Sequence, residues 1–134
     1  MLEPSTIQQR GFRNVTENGS VIGFQVAVRS KYYRGVWLSQ LRPATVTVDG
    51  EAFGGDQISW TVGGQTVRQS ELGRHGDIHW GNMDAAVLTV HKPGGLVPGI
   101  HDVDITFQYS ASYLPPRIDL RPLGSEPRRM VLVR

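Results

Sequence analysis

The stretch Glu17-Asn18-Gly19-Ser20-Val21-Ile22-Gly23-Phe24-Gln25-Val26-Ala27-Val28-Arg29 decides the fold class. Ile22, Phe24, Val26 and Val28 recur at every second position, so they share one face of an extended chain, with Val21, Gly23, Gln25, Ala27 and Arg29 on the other. A period of two is that of a strand with one buried face. Asn18-Gly19 supplies two neighbouring residues that tolerate positive φ, as a type I′ turn demands, so Gly11 to Thr16 is expected to pair antiparallel with Val21 to Arg29.

The same pattern continues outward from this hairpin. Ala44 to Val48 reads as a strand ended by Asp49-Gly50. Ile58, Trp60 and Val62 alternate with Ser59 and Thr61 until Gly63-Gly64 turns the chain, and Gln65 to Arg68 is a candidate return strand. Ala85 to His91 is a short apolar strand stopped by Lys92-Pro93-Gly94-Gly95. Pro98-Gly99 opens a long strand in which Val103, Ile105, Phe107 and Tyr109 share a face while Asp102, Asp104, Thr106 and Gln108 face solvent. Pro115, Pro116, Pro122 and Pro127 punctuate a connection expected to form no regular ladder, because proline cannot donate to one, and Met130 to Val133 is a last short strand. No window carries a capped helical stripe. About seven or eight strands separated by Gly/Pro turns imply an all-β, antiparallel β-sandwich or jelly-roll-like fold. Residues 1–134 are expected to form a single domain with a Pro/Arg-rich C-terminal segment from about residue 115.

Composition narrows the function classes. With no cysteine among 134 residues, there is no disulfide framework, no thiolate nucleophile and no cysteine-bearing zinc site, and a reducing compartment costs nothing. Met1 to Arg10 is polar, and no run approaches the ~20 apolar residues of a membrane span, so the expected location is the cytoplasm, without export or membrane insertion. Asn14-Val15-Thr16 and Asn18-Gly19-Ser20 fit the glycosylation acceptor formally but read as turn chemistry. The net charge is only +2; Arg117, Arg121, Arg128, Arg129 and Arg134 load the C-terminal segment, which reads as a solvated or partner-docking tail. No basic stripe interleaved with aromatics in a known module points to nucleic acid.

His75, Asp77 and His79 alternate, so on an extended strand they would present two imidazoles and a carboxylate to one side, as a divalent metal requires. Gly73, Gly76 and Gly81 around them indicate a loop instead, and no further ligand completes the set; an exposed polar loop is the favoured reading, with no metal assigned to this chain. His101 follows the Pro98-Gly99 turn and is expected to brace a backbone carbonyl, and His91, last in its strand, to make at most a rim contact. Neither a Gly-x-Ser-x-Gly elbow nor a phosphate-binding glycine loop is present, and no residue is assigned a catalytic role. Lys31-Tyr32-Tyr33-Arg34-Gly35-Val36-Trp37 packs three aromatics around an arginine in an expected loop. Tyr, Trp and Arg combine apolar area with hydrogen-bonding tips, which makes Tyr32, Tyr33, Arg34 and Trp37 the candidates to face a substrate or partner. The alternative is that two of the three aromatics plug the end of the sandwich.

Phe12-Arg13-Asn14, Gly23-Phe24, Tyr32-Tyr33-Arg34-Gly35, Leu38-Ser39, Val48-Asp49-Gly50-Glu51, Lys92-Pro93-Gly94-Gly95-Leu96, Pro98-Gly99 with His101, and Ser112-Tyr113-Leu114-Pro115 occur in this order. In this ordered set, from about Phe12 to Pro115, the chain resembles the β subunit of bacterial C-glycoside deglycosidases. Ile78-His79-Trp80-Gly81 departs from the arginine, tryptophan, aromatic, glycine pattern of that family. The resemblance implies a β-sandwich small subunit, inactive alone, bound to a larger TIM-barrel-like α subunit that holds a divalent metal, with manganese expected, and the acid/base residues. It implies cleavage of the carbon–carbon bond between sugar and aromatic aglycone, typically a flavonoid, in 3-oxo-C-glycosides. The 3-ketone acidifies the proton on carbon 2; a base removes it, the metal stabilises the enolate oxygen, and elimination expels the aromatic carbon as an acid protonates it. The small subunit would then shape the mouth of the partner's site, with substrate at or near the interface. Two further readings rest on fold class alone: a stand-alone carbohydrate-binding sandwich and a metal-dependent cupin-like enzyme.

Overall fold

The computed structural model describes residues 2, 6–30, 35–81, 83–110, 120–124 and 127–133, with the backbone alone for 107–110 and 120–124. The opening hairpin forms as its alternation dictates. β1 (Ile7–Glu17) and β2 (Ser20–Arg29) pair antiparallel across Asn18 and Gly19, whose φ values of 51° and 81° are those of a type I′ turn. Between the pairs Gln8↔Ala27 and Arg13↔Gln25 the register slips, so β1 bulges there. The bulge drives Phe12 inward, 6% exposed, and the Gln25 amide donates to Gly11 O across it.

Next in the chain come β3 (Val36–Trp37), β4 (Thr45–Val48), β5 (Glu51–Phe53), β6 (Ile58–Val62) and β7 (Gln65–Arg68). They are followed by β8 (His79–Trp80), β9 (Ala85–His91), β10 (Gly99–Ser110), β11 (Leu120–Gly124) and β12 (Arg128–Leu132). One sheet has the order β1-β2-β9-β6-β7; the second runs β11-β10-β4-β5, with β12 also pairing β10. β3 and β8 form a separate two-stranded ribbon. Every pairing is antiparallel.

The alternating apolar residues of the two sheets meet in one core. Phe24, Val26, Val28, Ile58, Trp60, Leu88 and Val90 come from the first sheet and Val46, Val48, Phe53, Val103, Ile105, Met130 and Leu132 from the second, all buried. Phe24 meets Phe53 edge to face across the interface, ring centroids 5.5 Å apart. Burial of each such large side chain contributes roughly 1.5–3 kcal/mol, which makes this interface the main source of stability.

The strands expected from periodicity are all present among the described residues, and four short ones join them: β3, β5, β8 and β11. β11 corrects the expectation that the proline-rich connection forms no ladder, since Pro122 lies opposite Gln108 in an antiparallel pair with β10. The register shifts beside it, between Phe107 and Gln108, and the strand ends its sheet, the position where a residue without an N–H is tolerated. The alternation along β10 holds at Val103 and Ile105, which are buried, and at Asp102 and Thr106, which are exposed; Asp104 is only half exposed, and the side chains of Phe107, Gln108 and Tyr109 lie outside the described residues.

The arginines of β12 do structural service rather than standing free in a tail. The Arg128 guanidinium donates to Ile7 O at 2.7 Å, tying β12 to β1, and Arg129 Nε pairs with Asp102 Oδ1 at 3.0 Å. The Gln9 amide adds a bond to Val131 O. Arg117, Arg121 and Arg134 fall outside the residues whose side chains are described.

Candidate functional site

The β3–β8 ribbon stands apart from the two larger sheets, and its alternation sorts buried from exposed side chains. Val36 pairs with Trp80 and both point inward; Trp37 pairs with His79 and both point out. Trp80 packs against Trp60 with centroids 5.8 Å apart, and its indole N–H donates to Asp84 O at 2.9 Å, so a buried aromatic pair forms a plug beneath the ribbon. Trp37 is 45% exposed and lies edge-on against the His79 ring at 4.8 Å. Met83, 76% exposed, stands in the turn between Gly81 and Asp84. Trp37 and His79 give the outer face of the ribbon a rim of soft, partly apolar side chains.

The rim is held close to the backbone. Gly35, with φ of 71°, leads into β3 where an added Cβ would lie 2.6 Å from Trp80 O and 2.7 Å from His79 Cε1. Only glycine fits a left-handed conformation against a carbonyl at that distance. After β3, Leu38 N–H donates to Ile78 O and Ser39 N–H to His75 O, which fastens the chain after Trp37 to the segment that carries the histidines.

That segment is anchored by Gln69, a buried amide whose oxygen and nitrogen are both in use. Its Oε1 accepts from Ala44 N at 2.9 Å and from Trp60 Nε1 at 3.0 Å, while its Nε2 donates to Ala44 O at 3.0 Å and Gly55 O at 3.2 Å. Gln69 opens the 3-10 turns Gln69–Arg74 that lead to His75, Asp77 and His79. It therefore joins the plug to the loop. Nothing in its sequence setting marked it, because a polar residue just past a strand reads as surface.

The alternation of His75, Asp77 and His79 does not produce a metal site. His75 Nδ1 stands 3.6 Å from Asp77 Oδ1, His79 is turned to Trp37, and among the described residues no group of three His, Cys, Asp or Glu side chains is placed to hold an ion. His75 is partly exposed, and Asp77 and His79 are exposed. Of the four residues expected to face a partner or substrate, Trp37 is described and lies on the rim; Tyr32, Tyr33 and Arg34 lie outside the described residues. Trp37 is not part of the buried Trp60–Trp80 pair.

At the second polar centre, His101 does brace a carbonyl: its Nε2 is 2.6 Å from Val97 O. Its Nδ1 is also 2.6 Å from Asp49 Oδ2, a contact across 52 residues of sequence that pattern reading did not supply. Asp49 sits in the β4–β5 turn at φ of 49°, and its Oδ1 accepts from Asp102 N–H at 2.8 Å. That backbone donor first, and the imidazole second, hold the Asp49 carboxyl below its usual range. Burial pushes the His101 pKa down, but the bonds to Val97 O and Asp49 outweigh it and the net shift is upward. His91 is exposed at the end of β9, beside Ser59, Arg68 and Thr89 on a shallow polar pocket.

Architecture and rim define a class: a two-sheet antiparallel sandwich that presents an aromatic and histidine-bearing rim on a separate two-stranded ribbon. Within that class the sequence is placed more closely. Residues 2–113 match the family model described as C-glycoside deglycosidase beta subunit. Over 118 residues the chain is 45% identical to the C-glycoside deglycosidase beta subunit of Eubacterium cellulosolvens, covering 87% of this chain and 80% of that protein. The chain belongs to the C-glycoside deglycosidase beta subunit family.

Proposed function

We propose that this chain is the small subunit of a heteromeric C-glycoside deglycosidase, and that together with a larger, barrel-shaped subunit it cleaves the carbon–carbon bond between sugar and aromatic aglycone in 3-oxo-C-glycosides. Membership of the beta subunit family is the observation that carries this reading, and it favours an enzyme subunit over a free-standing sugar-binding module. The ketone at sugar carbon 3 makes the carbon 2 proton acidic; its removal and the loss of the aromatic carbon from carbon 1 form a double bond between carbons 1 and 2, and the departing carbon takes up a proton. In this proposal the divalent ion, manganese, belongs to the larger subunit, where it would stabilise the enolate oxygen.

The contribution of this chain is a surface. Trp37, supported by His79 and preceded by Tyr32, Tyr33 and Arg34, faces the partner or the aglycone and excludes water from the mouth of the shared site. The absence of cysteine suits a cytoplasmic complex, and no helix among the described residues is long and apolar enough to cross a membrane. Replacing Tyr32, Tyr33, Arg34 and Trp37 by alanine should abolish co-purification with the larger subunit, or change aglycone selectivity, while the urea midpoint of the isolated chain is kept. Unchanged assembly and turnover would dispose of this surface.

A further inference from the structure

His101 contacts two groups that can only accept. Val97 O is a carbonyl, and Asp49 Oδ2 belongs to a carboxylate whose other oxygen already takes the Asp102 N–H; both lie 2.6 Å from an imidazole nitrogen. A neutral imidazole has one donor and one acceptor, so it satisfies one of these oxygens and turns a lone pair on the other; only the doubly protonated ring satisfies both. The charged and titratable groups around the ring are Asp49 from the β4–β5 turn, and Asp102 from its own strand, itself paired with Arg129 of β12. β1 offers the neutral Phe12, edge-on at 6.2 Å.

What His101 holds is one end of the connection between β9 and β10. The first part of that connection is fixed by bonds that carry no proton switch: Lys92 N–H to Ile22 O, Gly94 N–H to Val21 O, and Gly95 N–H to Lys92 O. The Asn14 amide then grips Leu96 twice, accepting from its N–H and donating to its O, each at 2.8 Å. Beyond Leu96, the Val97 carbonyl rests on His101. Pro98, the next residue, forms a wall of a groove whose other sides are Phe12, Arg13, Asn14, Val21 and Val133.

We propose that doubly protonated His101 is a latch between the Asp49–Gly50 turn and the Val97–Pro98 segment, and that loss of its proton releases this segment and reshapes the groove that Pro98 borders. The carboxylate keeps the remaining proton on Nδ1, so the Nε2 lone pair then faces Val97 O and the two repel. The movement stops at Leu96, where the Asn14 grip does not titrate.

The test is ring-nitrogen NMR of the full chain labelled at histidine, from about pH 5 to about pH 9, a range that brackets the ordinary imidazole value of about 6.5. The His101 signal is assigned by through-bond correlation and by its loss in His101→Gln. The ring should titrate once, above the ordinary value, and both ring nitrogens should carry protons on the acid side of that midpoint. The Val97 and Gly99 amide signals should follow with the same midpoint while those of Asn14 and Leu96 hold still. Asp49→Asn should lower the midpoint, since the carboxylate favours the charged imidazole. A midpoint at or below the ordinary value of about 6.5, or Val97 and Gly99 signals that do not follow the His101 titration, would overturn the latch. If His101→Gln does not fold, the wild-type titration decides alone.

Discussion

Replacing Gln69 by leucine keeps the side-chain volume close while withdrawing every hydrogen bond the amide makes. Ala44 N, Ala44 O and the Trp60 indole N–H lose this partner in a site where Gln69 is 3% and Ala44 2% exposed; Gly55 O, only partly buried, can turn to water. A buried polar group left unpaired costs ~1–3 kcal/mol, so three at the low end give a loss of about 3 kcal/mol. For a domain with about 5–15 kcal/mol in hand, that is a large fraction. The assay is urea unfolding followed by tryptophan fluorescence, reading the midpoint at unchanged m. Gln69→Glu serves as a control with a different signature. Its carboxylate can accept from Ala44 N and Trp60 Nε1 but cannot donate to Ala44 O or Gly55 O, and its deficit relative to wild type should shrink as acid returns one donor. A leucine variant within about 1 kcal/mol of wild type would refute the argument, since the amide would then be replaceable packing rather than a node.

Gly35→Ala should destabilise by more than the ~1 kcal/mol of an ordinary helix or strand glycine change, because the added carbon meets Trp80 O at 2.6 Å on a left-handed backbone; a rise in Trp37 solvent quenching alongside the midpoint loss would locate the damage at the rim. Trp37→Ala should leave the midpoint of the isolated chain nearly unchanged, as the ring is half exposed, yet weaken the complex with the larger subunit by at least about tenfold in a titration, in the range of interface hot spots. Stability should also depend on pH in two separable ways. His101, whose folded pKa is raised, contributes stability that is complete below its unfolded value of about 6.5 and lost as pH rises through the folded value. Asp49, whose folded pKa is lowered, contributes above its unfolded value of 3.8 and loses that contribution as pH falls through the folded value. The midpoint difference between wild type and His101→Gln should accordingly shrink on the alkaline side, and that for Asp49→Asn on the acid side.

Much of the scaffold was legible because the signals were local and long enough to show a period. The alternation of Ile22, Phe24, Val26 and Val28, the Asn18-Gly19 turn, and the Ile58, Trp60, Val62 run each carry their own geometry, and each appears as expected. β3 and β8 were not legible, since two residues have no period; the contact of Trp80 with Trp60 that accompanies their pairing is long-range. β11 was hidden by Pro122, which reads as a breaker and is admitted only at the end of the sheet. At the candidate sites the difference was one of distance along the chain. His101 could be read as a carbonyl brace from the turn before it, whereas its tie to Asp49, and the joining of Ala44, Gly55 and Trp60 by Gln69, depend on how the two sheets stack. His75, Asp77 and His79 have the spacing of a strand, but only His79 is in one, and so the three do not share a face.

The central claim is that this chain works as one half of an enzyme, and it is tested most directly by turnover of a 3-oxo-C-glycoside with manganese, comparing this chain alone, a larger barrel-shaped candidate subunit alone, and the two co-expressed, with each sample sized. Activity confined to a co-eluting complex is the predicted result; a chain that never joins the larger subunit, or full turnover by the larger subunit without it, would contradict the account.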